Sequence, residues 1–209
     1  MFKRFLLLLL LAWGFAVAGS AAAAPAILVW GDSLSAAYGL EPSQGWVQLL
    51  DRRLRAQGYD YTVVNGSVSG ETTAGGLTRL PAALAEHKPA IVIIELGAND
   101  GLRGTPVRVM QDNLSRMIAL SRKAGSKVLL LGILMPPNYG AEYTRAFSQA
   151  YKDLARRYGV PLLPFLLKGV AEHRELMQAD GMHPIAEAEP QVLDNVWPGL
   201  KPLLKKPRP

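Results

Sequence analysis

No cysteine occurs among the 209 residues, and that absence removes several chemistries at once. There can be no disulfide, no thiol nucleophile and no lipid anchor on an N-terminal cysteine, so stability has to come from the packed core. Histidine is scarce too. His87, His173 and His183 share no metal-ligand spacing, and no His-Glu-x-x-His run exists. Neither Gly-x-x-x-x-Gly-Lys-Ser/Thr nor Gly-x-Gly-x-x-Gly is present, so the chain is expected to work without metal or cofactor. No low-complexity tract or internal repeat appears, which excludes solenoids and propellers. Basic residues fall in short dispersed groups (Arg52-Arg53, Arg122-Lys123, Arg156-Arg157) and a tail at Lys205, Lys206 and Arg208. Aromatic residues do not interleave with them, so no nucleic-acid partner is expected.

What is present fits one globular domain. Hydrophobic residues make up 49% and charged residues 19%, enough apolar material for a single substantial core and too little length for two. The N-terminus reads as a targeting segment. Lys3 and Arg4 precede an apolar run from Phe5 to Ala18, followed by small residues up to Ala24, the order of a secretory signal peptide. The run is shorter than the roughly 20 residues that span a bilayer, so cleavage and no stable membrane anchor are expected; an uncleaved anchor is the alternative. Residues 1–24 are thus read as signal peptide and 25–209 as one domain. Loss of Lys3 and Arg4 leaves 21 basic against 17 acidic residues, a mild net charge of +4.

Apolar and helical periodicities alternate along the mature chain. Strands are predicted at Ala26–Trp30, Tyr61–Asn65, Ile91–Leu96, Lys127–Ile133 and Val160–Pro164. Helices are predicted at Trp46–Gln57, Leu77–Glu86 despite Pro81, Pro106–Ala124 and Glu142–Tyr158, with a last one between Ile185 and Leu204 interrupted by Pro198. Near-continuous apolar strands separated by amphipathic helices imply a parallel sheet covered on both faces. Right-handed crossovers then put every strand's C-terminal end on one edge, where such folds bind ligands.

Four short segments fall at or near that edge: Gly31-Asp32-Ser33-Leu34-Ser35, Asn65 to Gly70, Gly97-Ala98-Asn99-Asp100 and Asp180-Gly181-Met182-His183. Together they contain what acyl transfer needs: a nucleophile, a base, a group to orient the base, and oxyanion donors. Ser33 follows a turn-permitting glycine, although Asp32, Ser33 or Ser35 could equally cap a helical turn. Asp180 and His183 are close enough along the chain for the carboxylate to fix the imidazole tautomer; an Asp capping a turn is the bland alternative. Gly70 offers an unobstructed N–H and Asn99 a side-chain N–H, both against ordinary turn roles. Asp100 is expected to brace its turn. His87 and His173 lie in charged helical contexts and are read as surface residues. The Gly-x-Ser-x-Gly elbow is not matched, because Gly31-Asp32-Ser33-Leu34-Ser35 ends in serine.

These blocks resemble those of the GDSL or SGNH hydrolase superfamily, whose defining letters would fall on Ser33, Gly70, Asn99 and His183. Leu28–Leu40, Val64–Thr72 and Leu129–Pro136 further resemble the periplasmic thioesterase I, lysophospholipase L1 and arylesterase group; one departure is Glu71, where Asp is frequent. The resemblance implies a flavodoxin-like, three-layer α/β/α sandwich with a five-stranded parallel sheet. It implies a monomeric, periplasmic or secreted serine esterase acting on small acyl esters and thioesters, among them aryl esters, acyl-CoA and lysophospholipids. Ser33, His183 and Asp180 would form the triad, and Ser33, Gly70 and Asn99 the oxyanion hole. Leu102, Met135, Met182 and Ile185 are candidate pocket residues. A carbohydrate O-acetylesterase and a non-catalytic lipid- or glycan-binding module are the competing readings.

Overall fold

In the computed structural model, which describes residues 24–205, five parallel strands form one sheet in the order β2-β1-β3-β4-β5. They are β1 (Ala26–Gly31), β2 (Thr62–Asn65), β3 (Ile91–Glu95), β4 (Lys127–Leu131) and β5 (Leu162–Leu163). Six helices connect and follow them: α1 (Trp46–Ala56), α2 (Thr73–His87), α3 (Ala98–Leu102), α4 (Val107–Lys123), α5 (Ala141–Tyr158) and α6 (Glu189–Leu200). The expected signal segment lies, except for Ala24, outside the described residues, as do Lys206 and Arg208 of the basic tail.

Burial explains the strand composition. β1 and β3 are central and covered on both faces, so Ile27, Leu28, Val29, Ile91, Val92, Ile93 and Ile94 are all fully buried, and neither strand alternates. The edge strands β2 and β5 are only partly buried. Helices α1 and α6 pack together over one face, while α2, α4 and α5 pack in sequence over the other. Trp46, Phe147 and Tyr151 are the bulkiest fully buried side chains. Strand order reverses between β1 and β3, and in this topology the crevice at the C-terminal ends of those strands is the natural place for a ligand.

The departures from expectation sit around that crevice. α2 begins at Thr73, four residues before the expected Leu77, although Gly75 and Gly76 disfavour helix there. Two contacts offset the glycines: Thr72 Oγ1 accepts from the Gly75 N–H (3.2 Å), and Asp100 accepts from the Thr73 N–H (2.8 Å) and hydroxyl (2.6 Å). Residues 98–102, expected as a turn, form the short helix α3. β4 ends at Leu131 instead of Ile133, although Gly132 still donates to the Leu163 carbonyl (2.7 Å) and accepts from the Leu166 N–H (3.0 Å). β5 is only two residues long. Neither Pro81 nor Pro198 ends its helix.

A buried carboxyl ties α6 to α1. Glu189, the first residue of α6 and only 2% exposed, accepts a 2.7 Å hydrogen bond from the Trp46 N–H at the first turn of α1. Burial raises its pKa from 4.5 to about 7, more than that N–H can hold down. Its proton is therefore retained on folding, and the sign follows: as pH rises from 4.5 to 7 the unfolded chain has already ionised, so folding stability is lost across that window. The whole swing is worth about 3 kcal/mol. Glu189→Gln, which keeps an acceptor for the Trp46 N–H but cannot ionise, is expected to flatten this decline. Thermal unfolding at intervals between pH 4.5 and 7.5 checks it; parallel pH profiles for the two proteins would show that Glu189 does not carry the dependence.

Candidate active site

Ser33 sits on the turn that follows β1. The Asp32 carbonyl accepts from the Ser35 and Ala36 N–H groups (3.2 and 2.9 Å), and the Ser33 carbonyl accepts from the Tyr38 N–H (3.2 Å). That coil leaves Ser33 half-buried while Asp32 and Ser35 on either side are buried. Its hydroxyl lies 2.8 Å from His183 Nε2, across 150 residues of chain. His183 Nδ1 lies 2.7 Å from Asp180 Oδ2, while Asp180 Oδ1 accepts from the Met182 and His183 N–H groups (2.9 and 3.1 Å). The Met182 N–H, and then the histidine, pull the Asp180 carboxyl down to about 2, so the acid is ionised beside a neutral or a charged imidazole alike.

The loop carrying this acid and base is held from outside. Arg174 donates to the Gln178 and Ala179 carbonyls (2.9 and 2.8 Å). Gln178 Nε2 donates to the Tyr38 and Pro184 carbonyls (2.8 and 2.9 Å), which binds the loop to the serine turn. The Tyr38 ring packs on the imidazole with centroids 4.5 Å apart.

Gly70 and Asn99 face the same place from the far ends of β2 and β3. Gly70 has φ +79°, yet a Cβ built on it would meet nothing within 4 Å. Its requirement is therefore backbone conformation and not the lack of bulk expected from sequence. Among the described residues neither the Gly70 nor the Ser33 N–H donates to a protein acceptor. Asn99 Nδ2 donates to the Glu71 carbonyl (3.0 Å) and to Asp32 Oδ2 (3.2 Å). An oxyanion at this point would compete with those two acceptors for the amide's two protons.

Two acids lie beneath the serine: Asp32, weighed above only as a turn cap, and Glu95, which was not singled out. Asp32 and Glu95 are both fully buried, and the backbone of the first meets the side chain of the second. Glu95 Oε2 accepts from the Ser35 hydroxyl (2.8 Å) and the Asp32 N–H (3.2 Å). Burial raises the Asp32 pKa to about 6, against the pull of the Leu34 N–H and of His183. Burial and the Asp32 charge push Glu95 well above the usual carboxylate range. Asp32 thus orients the Asn99 amide, and Glu95 orients Asp32. The signal for Glu95 was available in principle: it is the only charge in Ile91–Leu96, an otherwise apolar run. Asp100, read as bracing its own turn, instead anchors the start of α2. His87 and His173 lie beside Glu86 and Glu175, away from the cavity.

A cavity of about 330 Å³ opens at Ser33, His183, Gly70 and Asn99. It extends past Ile133, Leu134 and Met135 to Phe165 and Leu167, along the sheet edge toward β5. Leu102, Met135 and Met182 line it as expected candidates do. Ile185 does not. The antiparallel bridge between Met177 and Pro184 and the Ile185 N–H bond to the Leu176 carbonyl (2.9 Å) turn Ile185 back against the core. Leu134, Phe165, Leu167 and Met177 line the cavity without having been singled out, because sequence does not show which apolar side chains lie on the open edge.

Comparison with known proteins bears on the same arrangement. The sequence pattern of the GDSL-like lipase/acylhydrolase family matches residues 29–189. The esterase TesA of Pseudomonas aeruginosa is 58% identical over 88% of this chain and 91% of its own length. The thioesterase 1/protease 1/lysophospholipase L1 of Escherichia coli K12 is 42% identical over 88% of this chain and 87% of its own. Among solved structures, the psychrotrophic esterase EstA from Pseudoalteromonas sp., inhibited by monoethylphosphonate, superposes with a TM-score of 0.81 at 41% identity, covering 85% of this chain and 97% of that one. A five-stranded parallel sheet between helices, a serine, histidine and aspartate gathered at its edge, and relatives of this closeness lead to one conclusion: the chain belongs to the GDSL-like lipase/acylhydrolase family and is a hydrolase of that family.

Proposed function

We propose that the chain is an exported serine esterase, its residues 1–24 removed as a signal peptide and residues 25–209 working in the periplasm or outside the cell as a single domain. Its substrates are acyl esters and thioesters, including aryl esters, acyl-CoA and lysophospholipids. The observation that carries the mechanism is the continuous line from Ser33 Oγ through His183 to Asp180, with contacts of 2.8 and 2.7 Å. In this reading His183 Nε2 takes the Ser33 proton as Oγ attacks the acyl carbon. Asp180 holds the tautomer and stabilises the imidazolium. The Ser33 and Gly70 N–H groups and the Asn99 amide stabilise the oxyanion. His183 then protonates the departing alcohol or thiol, and water, activated by the same base, releases the acyl group and restores Ser33. Inhibition of the similar esterase EstA by a phosphonate supports the serine assignment, since phosphonates capture activated serines. The names of the relatives support an acyl ester or thioester as substrate.

The apolar lining favours acyl chains over acetylated sugars. Met135 and Met182, unbranched and adaptable, suit variable apolar partners. An acetyl group would touch little of the surface from Ile133 to Leu167.

Four expected outcomes test this reading. Ser33→Ala is expected to retain the fold and lose turnover, leaving on the order of 10³–10⁴ over water. A fluorophosphonate should label Ser33 in the unsubstituted protein, and peptide mapping of the adduct to Ser35, Ser67 or Ser69 would overturn the assignment. Asn99→Ala is expected to lower kcat by roughly 10²–10³; a loss confined to KM would make Asn99 a ground-state contact. Across p-nitrophenyl and acyl-CoA esters of rising chain length, kcat/KM should climb by up to about fourfold per methylene and then level off. Faster turnover of acetylated glycans than of medium-chain acyl esters would hand the site to the O-acetylesterase reading.

A further inference from the structure

Tyr38 packs its ring on that of His183, with centroids 4.5 Å apart and planes 36° from parallel, closer to stacking than to an edge contact. The backbone around it is arranged to put it there. The coil over residues 32–36 ends at Ala37, which takes φ +58°. Glycine ordinarily supplies that left-handed conformation at such an end, and a residue with a Cβ is strained in it. Gly39 follows at φ +73°. Between the two, the Tyr38 N–H donates to the Ser33 carbonyl (3.2 Å) and the Tyr38 carbonyl accepts from Gln178 Nε2 (2.8 Å). One residue is thus tied at its amide to the serine turn and at its carbonyl to the loop that carries His183. A Cβ on Gly39 would collide with the Gln178 side chain, so the second tie needs that glycine.

Core packing does not account for the ring. Tyr38 is 51% exposed, and its hydroxyl has no hydrogen-bond partner among the described residues. The His183 side chain, by contrast, is only 13% exposed. That burial matters once the imidazole takes the Ser33 proton, because the cation is then poorly hydrated and depends on protein groups instead. Both nitrogens are engaged at the edge of the ring, by Asp180 and by Ser33, and Tyr38 covers its face. An aromatic face is the negative part of the ring's quadrupole and attracts a cation within about 6 Å; a neutral imidazole feels no such attraction of charge. We propose that Tyr38 is a positioning residue that acts through His183, its ring stabilising the imidazolium formed in both acyl-transfer steps and favouring it over the neutral base. The proposal rests on the serine-esterase reading for when that cation forms, but the preference itself can be read from His183 without turnover.

Two variants separate the face of the ring from its bulk and its hydroxyl. Tyr38→Leu keeps an apolar cover over the imidazole without a π face, and Tyr38→Phe keeps the face without the hydroxyl. In Tyr38→Leu, His183 should titrate at a pH lower by about 0.5. NMR of the imidazole carbon-bound protons follows this, with the His183 signal identified by its absence from His183→Asn. The acid limb of kcat/KM on a short aryl ester should move down with it, and kcat should fall by up to about fivefold. Tyr38→Phe should hold the midpoint and restore kcat. The other charged groups around His183 are Asp180, Asp32 and Glu95 beneath the serine, and Arg174 behind the loop. None is altered, so their pull is common to the three proteins. Tyr38→Met, also without a ring, replaces the leucine variant should that fold poorly. A midpoint unmoved in Tyr38→Leu, or a loss confined to KM, would make Tyr38 a wall of the cavity and overturn the proposal. A midpoint that rises would show that the ring only excludes water, and overturns it too. So would a phenylalanine variant that behaves like the leucine one, since the hydroxyl would then be the acting group. Midpoints that shift as expected in a protein that hydrolyses no ester would leave the ring's preference standing and count against the esterase reading instead.

Discussion

The parallel pairing of β1 with β3 places Gly31 directly across from Glu95, and the rest of the site depends on that register. A Cβ at position 31 would stand 2.6 Å from Glu95 Oε2 and 2.8 Å from the Ser35 side chain. Only with that space empty can the Glu95 carboxyl turn along the strand end and reach the Asp32 N–H and the Ser35 hydroxyl. Asp32 in turn meets Asn99, and Asn99 belongs to the segment after β3. The two strands that flank the topological switch are thereby joined by side chains beyond the point where their backbone ladder ends. A shift of one residue between β1 and β3 would turn the Glu95 side chain to the opposite face of the sheet and separate Asp32 from Asn99.

That junction is costly to build. Two carboxyl groups are kept from water, one of them with an oxygen, Oε1, that has no partner among the described residues. Their raised pKa values lower the cost, because a carboxyl that keeps its proton carries no charge. What is gained is orientation: a carboxylate beside an amide leaves no doubt which way the amide points, since only the nitrogen end is attracted. The Glu71–Arg79 pair, with the guanidinium 4.2 Å from the Trp30 ring, steadies the other acceptor segment of Asn99 in a similar manner. Polar residues thus fix the proposed oxyanion donors, while apolar residues shape the cavity beside them.

Much of this was legible in the amino-acid order because the relevant signals are local. Ile91 to Ile94 announces a doubly covered strand, and Gly159 marks the end of α5, where it takes φ +60°. Ser33, Gly70, Asn99, Asp180 and His183 stand out through their neighbours, and the structure brings all five to one place. The unread features are long-range ones. The start of α2 is decided by Asp100, distant in sequence, and outweighs a Gly-Gly pair that local propensity reads as a break. Glu95 acquires its part only when Gly31 lies opposite. Ile185 was misplaced because its position beside His183 in sequence says nothing about the bridge between Met177 and Pro184 that folds it inward.

Asp180 and His183 sit on one short loop whose internal contacts are its own: two N–H groups to the carboxylate, the carboxylate to the ring, and Arg174 bracing the carbonyls behind it. Mechanically, acid and base are a single part. Displacing that part as a whole leaves the carboxylate–imidazole distance unchanged and alters one coordinate only, the gap to the serine turn, which Gln178 and Tyr38 span. Lineages of this chain can therefore vary the outer surface of the loop, or its seat against residues 33–38, and drift along that one coordinate without dismantling the pair. The arrangement confines mutational damage to a single adjustable spacing.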